Sequence, residues 1–236
     1  MRRRSFLSAM LLLAATAAVA KVKVIYGGMP WVKGPATLPQ PVDAATGWHF
    51  FNADEVRAVE AIADRLIPAD ALSIGGKEAG CAVFIDRQLS GDYGRAATQY
   101  RLGPFVEGTP QQGPQFRDTP AERYRKGLAA LDAYCVRNWH QPFAMLSAAQ
   151  QDAVLTKLEA SEVDLGAMNA RAFFDLLLQN VREGYFADPI YGGNKDMAGW
   201  KLLGFPGAQY DFRDAIGRRG EDLKIIPISL IGRNDA

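Results

Sequence analysis

The sequence predicts a mainly α fold: an irregular helical bundle with long Gly/Pro/aromatic-rich loops and an extended C-terminal segment. Three observations lead there. Three segments carry helix-capping signals ahead of apolar residues at helical spacing, no run of alternating β-branched residues crosses the central region, and glycine and proline cluster between the periodic stretches. With 236 residues, 48% hydrophobic and 22% charged, the chain has the composition of an ordinary globular protein and buries one sizeable core. It is neither a disordered tail nor a multi-pass membrane protein.

Residues 27–49 hold Pro30, Pro35, Pro39 and Pro41 among four glycines and read as an extended lead-in. The first helix starts after Asn52, with Glu55 at the third helical position forming a capping box, and Val56, Val59, Ile62, Ala63 and Leu66 recur on one face until Pro68. Residues 79–90 read as a short second helix with Val83, Phe84 and Leu89 inward. Thr119-Pro120-Ala121-Glu122 places a cap, a proline whose missing donor is harmless at that point, and an acid in the first turn, ahead of Tyr124, Leu128, Leu131 and Cys135. Ser147 with Gln150 repeats the box before Val154, Leu155 and Leu158, and Phe173, Phe174, Leu177, Leu178 and Val181 mark a long helix from about Asn169. The helical core is set at residues 50–182.

From Tyr185 to Phe212 seven aromatics stand among five glycines and two prolines with no period, so residues 183–236 read as a wrapping segment. Such a segment packs irregularly on its own core or on another chain. Ile225 to Ile231 closes it as one edge strand, consistent with Pro227.

Residues 1–20 place three arginines before an apolar run ending Ala18-Val19-Ala20, the layout of an export signal. Arg3 and Arg4, followed by Phe6 and Leu7, resemble the twin-arginine class, which carries folded proteins across the bacterial inner membrane. The whole chain has 27 basic and 26 acidic residues; without residues 1–20 it has 24 and 26, a net charge of −2. No basic surplus remains to draw it to nucleic acid.

His49, His140, Cys81 and Cys135 are separated singletons, so no spacing for zinc, haem or an iron–sulfur centre exists, and no G-x-S-x-G or G-x-G-x-x-G occurs. No catalytic, cofactor-binding or metal-binding residue is therefore assigned to this chain. Asp188, Asp196, Asp211 and Asp214 lie among turn glycines, where acids cap backbone more often than they bind a cation. For the cysteines three readings stand: a Cys81–Cys135 bridge, a bridge to another subunit, or buried thiols, Cys135 sharing a helix face with Leu128 and Leu131.

The double-arginine leader, the segment from Phe50-Phe51-Asn52 to Ile67-Pro68, and the run Gly184-Tyr185-Phe186-Ala187-Asp188-Pro189-Ile190-Tyr191-Gly192-Gly193-Asn194-Lys195-Asp196 continuing through Gly199-Trp200-Lys201 to Ala208 resemble one family. It is the small third subunit (gamma) of membrane-bound gluconate 2-dehydrogenase and related sugar dehydrogenase complexes. The resemblance implies a single subunit 3-like domain over residues 21–236, with no catalytic residue of its own. It also implies a heterotrimer on the periplasmic side of the inner membrane, in which a large flavoprotein binds FAD and oxidises D-gluconate to 2-dehydro-D-gluconate. A multi-haem cytochrome c subunit anchors the assembly, and the small subunit, with the twin-arginine export machinery, delivers the flavoprotein folded. In that setting Tyr185, Phe186, Asp188, Tyr191, Trp200 and Phe205 are the candidate partner interface. The alternatives are the same role in a fructose, glucose, sorbitol or 2-ketogluconate dehydrogenase complex, an independent periplasmic sugar-binding protein, or an exported enzyme working through Asp188 and Asp196.

Overall fold

The computed structural model describes residues 40–106, 108–112, 116–209 and 211–231, and the leader residues Arg3, Arg4, Phe6 and Leu7 lie outside them. Six α-helices build the described part: α1 (Ala53–Leu66), α2 (Cys81–Ser90), α3 (Pro120–Trp139), α4 (Ala148–Glu159), α5 (Ala170–Phe186) and α6 (Ala198–Leu203). The mainly α prediction is correct. None of these helices is long and apolar enough to cross a membrane.

The helix starts fall where the capping signals put them. Asn52 accepts from the amides of Asp54 and Glu55 at 3.0 Å each while Glu55 returns to the Asn52 amide at 2.9 Å, and Thr119 with Glu122 and Ser147 with Gln150 form the same reciprocal boxes. Asn169 caps α5 through the Ala172 amide. Helix α2 starts at Cys81 rather than 79, because Gly80 stands at φ 80°, left-handed, and breaks the helical path.

The long helix α5 is the spine, packed against α2 and α4 along Phe173, Phe174, Leu177, Val181 and Tyr185. Helix α3 meets it where Gly127 faces Phe173; a Cβ on Gly127 would come within 2.3 Å of that ring, so no larger residue permits this crossing. Arg65 of α1 grips Asp152 of α4 with two 2.7 Å bonds, which hold the Asp152 carboxyl below the usual range. Two differences from the sequence reading appear. Helix α5 runs through Tyr185 and Phe186, past residue 182, since Tyr185 continues the four-residue step of Leu177 and Val181. The predicted edge strand at 225–231 reduces to one parallel bridge, Gly207 to Ile228, because Pro227 supplies no donor and no described strand lies alongside.

The segment 46–51 is fixed by a buried carboxylate. Asp86 in α2 is fully buried and accepts the backbone amides of His49, Phe50 and Phe51 at 2.9 Å each. Its neighbour Arg87 pairs with it and reaches the carbonyl of Gly47 at 2.8 Å and the hydroxyl of Thr46 at 3.0 Å. Phe51 is thereby seated in the core beside Tyr124, and Asn52 arrives in position to cap α1. Asp86→Ala leaves three amides and a guanidinium without their acceptor and lowers stability by about 3–5 kcal/mol, read from urea unfolding followed by circular dichroism.

Candidate functional site

The C-terminal end of α5 is tied into a knot by the glycine- and aromatic-rich run. The Phe186 carbonyl accepts from Trp200 Nε1 at 2.7 Å, and the Ala187 carbonyl accepts from Asn194 Nδ2 at 2.8 Å. Asn194, itself fully buried, turns its Oδ1 to the Gly199 amide at 2.8 Å and so starts α6. These bonds satisfy carbonyls that a helix end otherwise leaves orphaned. The chain turns sharply here: Asn194, Asp196 and Met197 all hold positive φ, and a Cβ on Gly193 would stand 2.1 Å from the Gly184 carbonyl.

Asp188 extends the knot to both ends of the described chain. Its Oδ1 accepts the Ile190 amide at 2.9 Å and its Oδ2 the Leu230 amide at 2.8 Å, while the Ile190 carbonyl accepts the Val42 amide at 2.9 Å. Beyond it, Ala208 donates to the Ile228 carbonyl at 2.7 Å and closes the final segment against the loop that follows α6.

A groove of about 860 Å³ opens on this end, with Trp200 in its lining and Leu203, Phe205, Phe212, Ile225 and Ile226 around it. Trp200 is buried and Phe205 stacks edge-on to it at 5.2 Å. Leu203 and Ile226 are 65% and 63% exposed, and Leu202, Phe205 and Phe212 also show much of their apolar surface.

The residues singled out in the sequence separate here. Phe205 stands on the exposed face. Tyr185 does not: it is 1% exposed, and its hydroxyl donates to the Ile74 carbonyl at 2.7 Å and meets Ser73 Oγ. Trp200 belongs to the floor, Phe186 and Tyr191 are half-buried, and Asp188 works inside the chain as a backbone acceptor. Leu203 and Ile226 are the most exposed of the large apolar side chains in the groove wall and have no periodicity that could have marked them.

Cys81 and Cys135 are separate free thiols, both buried, rather than partners in a bridge. Burial pushes each thiol from its ordinary 9.0 up to about 12. Asp211 accepts the Arg213 amide and pairs with its guanidinium, and among the described residues no group of three or more His, Cys, Asp or Glu is placed to hold a metal ion.

The family model described as gluconate 2-dehydrogenase subunit 3 matches residues 53–207. The chain belongs to that family. Neither a curated protein nor a solved structure matches it. Subunit 3 membership associates the chain with a multi-subunit oxidoreductase complex of the gluconate dehydrogenase type. The matched span opens on the first residue of α1 and closes on Gly207, which bridges Ile228, so it includes the knot and Trp200 but stops short of Ile225 and Ile226.

Two outcomes follow from this geometry. Asn194→Ala strands the Ala187 carbonyl and the Gly199 amide and costs about 2–4 kcal/mol in chemical denaturation. Both thiols stay unreactive to iodoacetamide at pH 8 in the folded chain and alkylate after unfolding. Because the folded values lie above the unfolded 9.0, the thiols' contribution to stability is whole below pH 9 and falls as pH rises from 9 toward 12, visible as a declining midpoint in urea.

Proposed function

We propose that this subunit is the non-catalytic export and stability partner of an FAD-binding dehydrogenase subunit, and that the apolar groove at the C-terminal end is where the dehydrogenase sits. The observation that carries the reading is the set of exposed Leu203, Phe205, Phe212 and Ile226 around a buried Trp200. Apolar surface of this size is costly in water and is stabilised when a partner covers it, at roughly 25 cal/mol per Å². The knot beneath keeps the side chains in place before the partner arrives, which lowers the ordering cost of association.

The complex oxidises D-gluconate to 2-dehydro-D-gluconate, or a related sugar or polyol, with FAD in the large subunit and haem c in a cytochrome subunit. The twin-arginine leader serves the whole assembly. A flavin is inserted in the cytoplasm, so the flavoprotein crosses the membrane folded, and a bound partner bearing Arg3 and Arg4 supplies the address. The assembly then rests on the periplasmic side of the inner membrane.

Leu203→Asp and Ile226→Asp test this in the full chain co-expressed with the dehydrogenase subunit. Both positions are exposed, so each variant unfolds within about 0.5 kcal/mol of the parent. Recovery of the dehydrogenase on the tagged small subunit falls at least tenfold, and the dehydrogenase accumulates in the cytoplasm. Recovery equal to the parent from both folded variants overturns the assignment of the groove.

A further inference from the structure

A second cavity, of about 560 Å³, lies away from the groove, between the segment before α3 and the start of α5. Phe116, Leu165, Met168 and Phe173 give it an apolar lining, and Arg123 and Lys126 of α3 stand in its wall. Its volume falls in the range of small-molecule sites, about 300–1,000 Å³, and a few polar groups converging on an apolar body is how such sites are built.

The charge in this cavity is unbalanced. Arg117, Arg123 and Lys126 are cations and Asp118 is the one carboxylate among the lining residues, already bonded to Lys126 through both oxygens at 2.8 Å. Arg123 makes no ion pair among the described residues. Its guanidinium carbon stands over the Phe116 ring, 3.6 Å from the centroid, and Nη2 donates to the Ala172 carbonyl at 2.9 Å. Among the described residues no acceptor is found for its Nε or Nη1, and neither is a sealed-off buried atom. Partial burial depresses the Arg123 pKa, against a weaker opposing pull from nearby groups that include Asp118. A planar guanidinium fork held by an aromatic ring is suited to an oxyanion, and an oxyanion would reduce the excess of positive charge.

We propose that this cavity binds an anionic amphiphile, a carboxylate or phosphate head on Arg123 with an apolar body against Phe116, Leu165, Met168 and Phe173. The ligand is a small molecule, and its binding does not depend on the dehydrogenase subunit.

Isothermal titration of the full chain, without partner, tests it with decanoate, decyl phosphate and uncharged decanol. Decanoate or decyl phosphate binds at one saturable site, and the tighter of the two identifies the head. Decanol binds at least tenfold more weakly. Arg123→Gln reduces the affinity for the anion at least tenfold, whereas Arg57→Gln, an exposed arginine on α1, leaves it unchanged. Ala167→Trp, which fills the cavity from an exposed rim position, has the same effect as Arg123→Gln and decides the matter if the latter variant fails to fold. Absence of saturable binding by both anions, equal binding of decanol, or full affinity in both the Arg123→Gln and Ala167→Trp variants overturns the proposal.

Discussion

The buried carboxylate of Asp86 is the constraint on which the described fold depends. A charge withdrawn from water is tolerated only if its lone pairs are occupied, and Asp86 meets that demand with three consecutive backbone amides and the adjacent Arg87. The amides belong to the segment that leads into α1, so satisfying the charge and placing the chain are one event. Phe51 enters the core, Asn52 caps α1, and Arg87 holds the preceding turn through Thr46 and Gly47. A hydrophobic residue at position 86 could fill the space but could not accept the amides of His49, Phe50 and Phe51 that set the path into α1.

The knot after α5 solves a related problem at the other end of the core. A helix that stops at a buried surface exposes carbonyls to an environment without water, and here side chains from downstream, Asn194 and Trp200, supply the donors. The glycines of this run allow backbone to lie against backbone, as at Gly193 and Gly184. Asp188 then ties in Leu230 directly and holds the turn whose Ile190 carbonyl meets Val42. Asp188 and Asn194, polar side chains that looked available for a site, are thus occupied in architecture, and the groove beside the knot combines exposed apolar side chains with Lys201, Glu221, Asp222 and Lys224.

That division fits a subunit whose family belongs to a multi-subunit dehydrogenase. Among the described residues no buried side-chain polar atom lacks a partner. The groove beside α6 is the opposite: Leu203 and Ile226 have large apolar surfaces that nothing among the described residues covers. Association that buries such a patch gains hydrophobic energy without asking the fold to rearrange.

Much of this was legible along the chain. Capping boxes at Asn52, Thr119 and Ser147 and the apolar stripes behind them are local signals, each read within four residues, and they set three helix starts correctly. The family likeness was legible in the motif from Gly184 to Ala208. What the sequence left open were matters of long-range partnership. Tyr185 and Phe205 are both aromatics in one glycine-rich run, yet one closes against Ile74 and Ser73 from the far side of the core and the other stands in the open. Asp86 reads as a routine helix acid until the segment 49–51 folds over it. Hydrogen-bond propensity and helical period act over one or two turns and are written in neighbouring residues; burial depends on which distant segment arrives, and only the tertiary structure brings those segments together.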